Sequence, residues 1–173
     1  MSVMASYNEG KKEVVTWICS VVPEGGTILD VGACDGRWAD FIHLIDQDLA
    51  VDGVEIFAPN VWAWRLWERY RSITIGDIED LRYEHYDMVI FGDVLEHMSV
   101  EKAQRVLAYA AEHATDYVIG IPFEYPQDEI YGNKWETHLQ PDLTPEIFAE
   151  RYPGHELLIQ PLPNYAYYHR SGK

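Results

Sequence analysis

The sequence predicts an α/β fold, a three-layer sandwich in which a mostly parallel seven-stranded sheet lies between helices and ends in an antiparallel hairpin. Strand-like and helix-like segments alternate over residues 11–123, a pattern that produces right-handed crossovers and parallel strands. Residues 86–93 contain the apolar run MVIF, as expected of a central parallel strand covered on both faces. Two strand-like runs near the end flank the turn-forming sequence PLPN, which predicts the hairpin.

The first half of the chain yields three helices and four strands. Apolar residues recur at helical spacing in each predicted helix, and β-branched residues dominate the short strands between them. The predicted helices are 11–22 with Val14, Val15, Ile18, Val21 and Val22 inward, 37–45 with Trp38, Phe41, Ile42 and Ile45, and 58–70 with Trp62 and Leu66. The predicted strands are 27–32, 49–57, 72–77 and 86–93.

The second half adds two helices with recognisable start signals. Ser99 is a predicted N-cap for a helix over 100–113, and Thr144 with Pro145 fits the cap and first turn of a helix at 145–153. A fifth strand is predicted at 116–123 and the hairpin within 155–170. The aromatic and acidic segment 122–143 has no periodicity, and loops of that length in compact domains are usually lids or binding loops.

The composition bears on the class of partner. A net charge of −16 over 173 residues opposes nucleic acid and anionic membranes, because cationic side chains supply most of the affinity for polyanions. Cys19 and Cys34 have no paired spacing, so neither a disulfide framework nor a cysteine zinc site is predicted. With no signal-like or membrane-length apolar run, we expect a cytoplasmic protein.

A glycine-containing loop follows the first predicted strand in the sequence DVGACDG, residues 30–36. A dinucleotide site requires Gly-x-Gly-x-x-Gly, whose second glycine admits the pyrophosphate. Here Cys34 holds that place and Asp35 adds a carboxylate next to it, which would repel phosphate. The loop therefore favours a ligand with a ribose and a positive centre over NAD or FAD.

This loop resembles the first motif of the class I S-adenosylmethionine-dependent methyltransferases, acidic-x-Gly-x-Gly-x-Gly, with a departure at Cys34. The resemblance covers roughly residues 27–121. It implies a Rossmann-like fold and S-adenosyl-L-methionine as cofactor, and it places Asp30, Gly32, Ala33 and Gly36 at the cofactor.

Three further segments match the family in order. The resemblance implies that Glu55, 25 residues after Asp30, bonds both ribose hydroxyls, and that Asp77 contacts the adenine amino group while the backbone N–H of Ile78 faces a ring nitrogen. The segment FGDVLEHM, 91–98, resembles the motif after the fourth strand. The cofactor residues implied by these segments are Glu55, Ile56, Asp77, Ile78, Gly92 and Asp93.

Glu96 and His97 follow the fourth strand, where an acceptor could meet the methyl group, and are the catalytic candidates. An imidazole titrates near neutral pH, so His97 is a candidate general base, although the pair could instead hold the turn or position the cofactor. His138, with Glu136 nearby, could suggest a metal site together with His97. No histidine spacing typical of ligands supports one, so no metal is predicted.

Several aromatic residues remain to be assigned. The predicted acceptor-binding residues of the 122–143 segment are Phe123, Tyr125, Tyr131, Trp135 and His138, with plain loop packing as the alternative. Trp62, Trp64 and Trp67 are predicted to pack on a helix face, and Tyr165, Tyr167 and Tyr168 to be strand residues.

These features favour one domain over 1–173, with an N-terminal helical segment (1–26), a cofactor-binding core (27–121) and an acceptor loop, helix and hairpin (122–173). The favoured function is methyl transfer to a small-molecule or metabolite acceptor by in-line displacement. An inactive cofactor-binding module for regulation or assembly is the alternative, and a nucleotide-dependent oxidoreductase is a weaker one. The sequence predicts neither the acceptor atom nor the oligomeric state.

Overall fold

A seven-stranded sheet organises the computed structural model, which describes residues 7–130 and 132–171. The strands are β1 (Thr27–Val31), β2 (Ala50–Glu55), β3 (Ser72–Ile75), β4 (Tyr86–Gly92), β5 (Ala114–Pro122), β6 (Glu156–Leu162) and β7 (Tyr165–Ser171). Their order across the sheet is β3-β2-β1-β4-β5-β7-β6. The first five are parallel, whereas β7 pairs antiparallel with both β5 and β6. The predicted fold class is confirmed.

Five α-helices cover the two faces of the sheet: α1 (Lys11–Val21), α2 (Arg37–Ile45), α3 (Ala58–Ala63), α4 (Val100–His113) and α5 (Pro145–Arg151). Alternate residues of β4 serve opposite faces, as the period of two in a strand requires. Met88 and Ile90 pack with α1, α2 and α3, whereas Val89 and Phe91 pack with α4 and α5. The apolar run of β4 is thus buried on both sides, as its sequence predicts.

Capping side chains fix the starts of two helices. Ser99 Oγ accepts a hydrogen bond from the backbone N–H of Lys102 at 3.3 Å, and Thr144 Oγ1 accepts one from Ile147 at 3.2 Å. Both N-cap predictions are therefore confirmed, and α4 has the predicted bounds. An N-cap of this kind typically contributes about 1 kcal/mol.

The predicted helix over 58–70 is wrong beyond its first turns. Helix α3 ends at Ala63, Arg65 takes a left-handed conformation with φ 51°, and a single 3₁₀ turn follows at Leu66–Glu68. Within this turn only Leu66 is buried; Val61 of α3 and Tyr70 after the turn also belong to the core. The tryptophans do not reach the core: the exposed fractions are 64% for Trp62, 41% for Trp64 and 45% for Trp67. Trp62 and Trp67 do pack against each other, with ring centroids 5.3 Å apart.

Two smaller expectations also need correction, because Val21 and Ile45, assigned to apolar helix faces, are exposed at the ends of α1 and α2. The thiols of Cys19 and Cys34 are free. Tyr165, Tyr167 and Tyr168 lie in β7, as predicted. None of the helices in the described ranges has the length and apolar content that crossing a bilayer requires.

Candidate functional site

A cavity of about 960 Å³, including its open mouth, lies at the carboxyl ends of the parallel strands. Ligands of open α/β sheets bind at this edge, near the point where the strand order reverses; here that point lies between β1 and β4. Ten of the residues predicted for the site line the cavity: Gly32, Ala33, Glu55, Ile56, Asp77, Ile78, Gly92, Asp93, His97 and Trp135.

Asp30, Phe123 and Tyr125, which were also predicted for the site, do not line the cavity. Asp30 is fully buried at the end of β1, where it accepts a hydrogen bond from Tyr70 Oη at 2.5 Å. Burial raises the pKa of Asp30 to about 7, although the bond from Tyr70 opposes the shift. Phe123 belongs to the apolar core and Tyr125 is partly exposed on the following loop. Tyr131 lies outside the described residues.

The glycines of the loop after β1 are required by backbone geometry. Gly32 has φ 74° and Gly36 has φ 77°, a region that side chains disfavour. A Cβ on Gly32 would lie 2.6 Å from Val94 Cγ2, and one on Gly36 would lie 2.8 Å from Arg69 Cδ. These two positions therefore shape the loop, and Gly36 does so from outside the cavity.

Hydrogen bonds within the protein use four N–H groups of this loop, of which that of Gly36 donates to the carbonyl of Ala33 at 2.7 Å. Those of Gly32 and Ala33 both donate to the carbonyl of Val54, at 2.9 and 3.0 Å, and that of Cys34 donates to Glu55 Oε2 at 2.7 Å. A phosphate-binding loop instead directs such groups at the ligand. The geometry therefore agrees with the charge of Asp35 in disfavouring a pyrophosphate.

Glu55 is buried at the end of β2 and faces the cavity. Its Oε1 accepts a hydrogen bond from the backbone N–H of Phe57 at 2.7 Å, so each oxygen receives one main-chain donor. Burial raises the pKa of the Glu55 carboxyl, and these backbone donors oppose the rise. Since a carboxylate has about four lone-pair positions, this one can still accept two hydroxyl groups.

Asp77, at the end of the β3 segment, is held in place before any ligand arrives. Its Oδ2 forms an ion pair with Lys102 Nζ, and its Oδ1 accepts a hydrogen bond from Glu79 N at 3.0 Å. Lys102 comes from the first turn of α4 and also lines the cavity. A donor such as an exocyclic amine would thus meet an oriented carboxylate.

Carboxylates outnumber cations in the lining. Five are acidic (Asp35, Glu55, Asp77, Asp93 and Glu136) and three are basic (Lys11, Arg37 and Lys102). Such a lining fits a ligand that carries positive charge together with a single carboxylate better than it fits a polyphosphate.

None of the three cations was predicted from the sequence, because no motif marks them. The Lys11 side chain is buried at the start of α1, with Nζ 4.7 Å from the centroid of the Trp38 ring. Burial lowers its pKa, while the nearby Asp93 opposes that shift. Arg37, the first residue of α2, pairs with Asp35 at 2.7 Å. The burial of Lys11 is the feature that marks it as a site residue, and burial is visible only in the folded structure.

The turn after β4 carries the two catalytic candidates, of which only His97 lines the cavity. Its Nδ1 lies 3.3 Å from the carbonyl of Thr137. Burial is the main cause that lowers the pKa of His97 to about 4, and electrostatic repulsion from the neighbouring His138 adds to it. The imidazole is therefore neutral at pH 7. Burial and the charge of Asp93 raise the pKa of Glu96 well above its usual range.

The segment predicted to bind the acceptor forms one wall of the cavity. Asn133, Trp135 and Glu136 line it, the last two from a 3₁₀ turn at Lys134–Glu136. The Asn133 side chain holds this turn, since it accepts from Trp135 N and donates to Glu136 Oε1, both at 3.1 Å. Trp135 was predicted here, whereas Asn133 was not.

Comparison with known proteins identifies the fold. No protein-family model matches the sequence, and no curated protein does. Among solved structures, a putative O-methyltransferase from Nostoc punctiforme aligns over 93% of this chain with a TM-score of 0.67 at 14% identity. A TehB-like S-adenosylmethionine-dependent methyltransferase from Corynebacterium glutamicum aligns over 98% with a TM-score of 0.66 at 16% identity.

A third similar structure is the N-terminal domain of EvdMO1, determined in the presence of S-adenosylhomocysteine and D-fucose; it aligns over 98% of this chain with a TM-score of 0.70 at 13% identity. The chain spans 55% of the length of the Nostoc protein, 90% of the Corynebacterium protein and 85% of the EvdMO1 domain. The chain has the class I methyltransferase fold, and identities this low show the fold alone.

Proposed function

We propose that the chain transfers a methyl group from S-adenosylmethionine to a small-molecule or metabolite acceptor. The observation that carries the proposal is that Glu55 and Asp77, at the ends of neighbouring strands, line one cavity with the loop after β1. A shared fold supports it, since structures with this fold have been determined with S-adenosylhomocysteine bound.

In this proposal Glu55 accepts hydrogen bonds from both ribose hydroxyls. Each charge-assisted bond contributes roughly 1.5 to 3 kcal/mol, and the backbone donors from Cys34 and Phe57 hold the carboxylate ready. The Asp77 carboxylate accepts from the adenine amino group, and the backbone N–H of Ile78 donates to a ring nitrogen of the adenine. Lys102 orients Asp77 for this role through its ion pair.

The other end of the cavity suits the amino-acid portion of the cofactor. Lys11, at the start of α1, and Arg37, at the start of α2, are the cations that can pair with its carboxylate, and both line the cavity. Asp93, which follows Gly92 with a left-handed φ of 53°, places a carboxylate near the position of the ammonium and sulfonium groups. Backbone strain of this kind is often found where a side chain has to be aimed at a ligand.

The bound cofactor supplies an electrophilic methyl carbon on a sulfonium leaving group. The protein then has to align the acceptor with that carbon and exclude water, and such positioning can remove roughly 7 to 11 kcal/mol of the barrier. The wall formed by Asn133, Trp135 and Glu136 is placed for both tasks. Neutral His97 lines the same space and can accept a proton from an acceptor hydroxyl, although acceptors without such a proton need no base.

The acceptor in this proposal is small and not a polyanion. Trp135 offers an aromatic surface at the cavity mouth with 40% of its side chain exposed. The carboxylate-rich lining and the net charge of −16 oppose phosphate-rich acceptors. A neutral or cationic metabolite with an aromatic or otherwise apolar part fits these features best.

A methyl-transfer assay tests the proposal. Purified protein is incubated with S-adenosylmethionine labelled on the methyl group and a panel of hydroxyl-, amine- and thiol-containing metabolites, and product formation is followed by mass spectrometry. Transfer to at least one acceptor is expected, together with binding of S-adenosylhomocysteine by calorimetry. Binding without transfer to any acceptor would favour an inactive regulatory or assembly module, and absence of both would overturn the proposal.

A further inference from the structure

The turn after β4 and the loop after β5 bring three potential metal ligands together. Glu96 and His97 lie in the 3₁₀ turn Leu95–His97, and His138 follows 41 residues later in the chain. One ligand atom from each side chain lies within 4.8 Å of the other two. The two imidazole rings have centroids 4.7 Å apart and an interplanar angle of 77°.

Hydrogen bonds to the backbone fix the tautomer of both histidines. Nδ1 of His97 lies 3.3 Å from the carbonyl of Thr137, and Nδ1 of His138 lies 2.5 Å from the carbonyl of Tyr125. A carbonyl only accepts, so each Nδ1 carries the hydrogen and each Nε2 keeps its lone pair. Histidines that bind metals are usually held in this way, with the other ring nitrogen donating to a carbonyl or carboxylate.

Glu96 supplies the oxygen and is the group that most needs a partner. Only 1% of its side chain is exposed, and neither carboxyl oxygen has a hydrogen-bond partner among the described residues. Its Oε1 lies 3.9 Å from His97 Nε2, the atom with the free lone pair. A buried carboxyl left without partners is costly, and a bound cation would remove that cost.

Main-chain hydrogen bonds hold the two segments against each other. The backbone N–H groups of Leu139 and Gln140 both donate to the carbonyl of Glu96, at 2.7 and 3.2 Å. Gln140 Nε2 donates to the carbonyls of Leu95 and Met98, at 2.9 and 3.1 Å. His138 is therefore held beside Glu96 and His97 independently of any cation.

We propose that Glu96, His97 and His138 form a site for one divalent transition-metal cation, such as Zn²⁺ or Mn²⁺, beside the cofactor cavity. Two imidazoles and one carboxylate favour these ions over Mg²⁺ and Ca²⁺, which prefer oxygen ligands. Bond lengths of about 2.0 to 2.2 Å place tetrahedral ligand atoms roughly 3.4 Å apart, so small side-chain rotations close the present spacing. Three protein ligands leave a position open for water or an acceptor oxygen, and His97 connects the site to the cavity. A bound cation would occupy the Nε2 lone pair of His97, so in the metal-bound protein His97 is a ligand and not the proton acceptor.

Calorimetric titration of the chelator-treated full chain tests this site. Zn²⁺ and Mn²⁺ are added separately in a buffer with excess Mg²⁺, which occupies weak sites on the acidic surface. We expect one ion per chain, with Zn²⁺ tighter than Mn²⁺ as the usual order of affinities requires. Because no cofactor is present, the result stands apart from the proposed methyl transfer.

Variants locate the bound ion. Glu96→Gln and His138→Ala should each weaken Zn²⁺ binding by at least about tenfold, while His85→Gln, which changes an exposed histidine on another surface, should bind as the unmodified chain does. Circular dichroism establishes that each variant is folded, and His138→Ala carries the test if Glu96→Gln is not. No saturable binding in excess Mg²⁺, or unchanged affinity in folded His138→Ala, would overturn the proposal.

Discussion

At the scale of single residues, the cavity depends on carboxylates whose orientation is set by the backbone. Glu55 receives donors from Cys34 and Phe57, and Asp77 is held by Lys102 and by Glu79 N. Each side chain is immobilised before a ligand binds, which reduces the entropy lost on binding. Ribose and adenine recognition in the proposed function depends on these two positions.

Glu55→Gln provides the residue-scale test. The amide keeps the size of the side chain, but it loses the negative charge and replaces one acceptor with a donor that faces main-chain N–H groups. We expect affinity for S-adenosylhomocysteine, measured by calorimetry, to fall by about 10- to 100-fold, which corresponds to the loss of one charge-assisted hydrogen bond.

Glu84→Gln is the matched control, because Glu84 is exposed and does not line the cavity. It should leave the affinity for S-adenosylhomocysteine unchanged. Equal affinity in Glu55→Gln and Glu84→Gln would show that Glu55 does not hold the ribose.

The placement of some site residues was predictable through the family resemblance. It implied that Glu55 and Asp77 face the cofactor from the ends of neighbouring strands, and both line the cavity. Lys11 and Asn133 were not predictable, since their place in the lining depends on segments far apart in the chain. The sequence raised His138 with His97 as a pair, but no histidine spacing supported it, and only the fold brings their side chains together. Burial of a charged side chain such as Lys11 is a property of the folded packing, and no local pattern encodes it.

At the scale of elements, the wall formed by Asn133, Trp135 and Glu136 has a defined attachment to the rest of the fold. Gln140, a buried residue of the same loop, donates from Nε2 to the carbonyls of Leu95 and Met98. Its Oε1 accepts from Tyr152 Oη at 2.9 Å and from Arg151 Nη1 at 3.2 Å. One side chain therefore joins the turn after β4 to helix α5. The turn after β4 and the loop that contains Gln140 carry the cavity residues His97 and Glu136 and the candidate metal ligands Glu96, His97 and His138.

Gln140→Ala tests the attachment. Truncation leaves the two carbonyls and the two donors without this partner, and each buried unsatisfied group costs about 1 to 3 kcal/mol. Urea unfolding should show a decrease of at least about 1 kcal/mol in the free energy of unfolding. Gln160→Ala, an exposed change on β6, serves as the control, and equal stability of the two variants would contradict the proposed attachment.

Helix boundaries were predictable where the capping residue and the spacing of apolar residues agreed. They were not predictable where a residue takes a left-handed backbone conformation. The α4 bounds follow from Ser99 and from the apolar stripe that starts at Val100. The stretch 58–70 keeps helical spacing of its aromatics, yet the left-handed Arg65 ends the regular helix. Arginine carries no signal for that conformation, which usually marks glycine or asparagine, so the exposure of Trp62 could not be inferred.

At the scale of the whole molecule, strand order decides where the site lies. Because β1 lies between β2 and β4, the loops after these strands open onto one edge, and the carboxylates that follow them converge there. The antiparallel pair β6 and β7 extends the other side of the sheet and leaves this edge uncovered. Alternation of strands and helices predicted parallel strands with a site at their carboxyl ends. The strand order and the volume and shape of the cavity depend on packing that the sequence does not display.

A crystal structure of the complex with S-adenosylhomocysteine tests the central claim most directly. The account predicts that both ribose hydroxyls contact the Glu55 carboxylate, that the adenine lies beside Asp77 and Ile78, and that the sulfur faces the space bounded by Asp93 and His97. A ligand bound elsewhere on the molecule, or one in this cavity with its ribose directed away from Glu55, would contradict it.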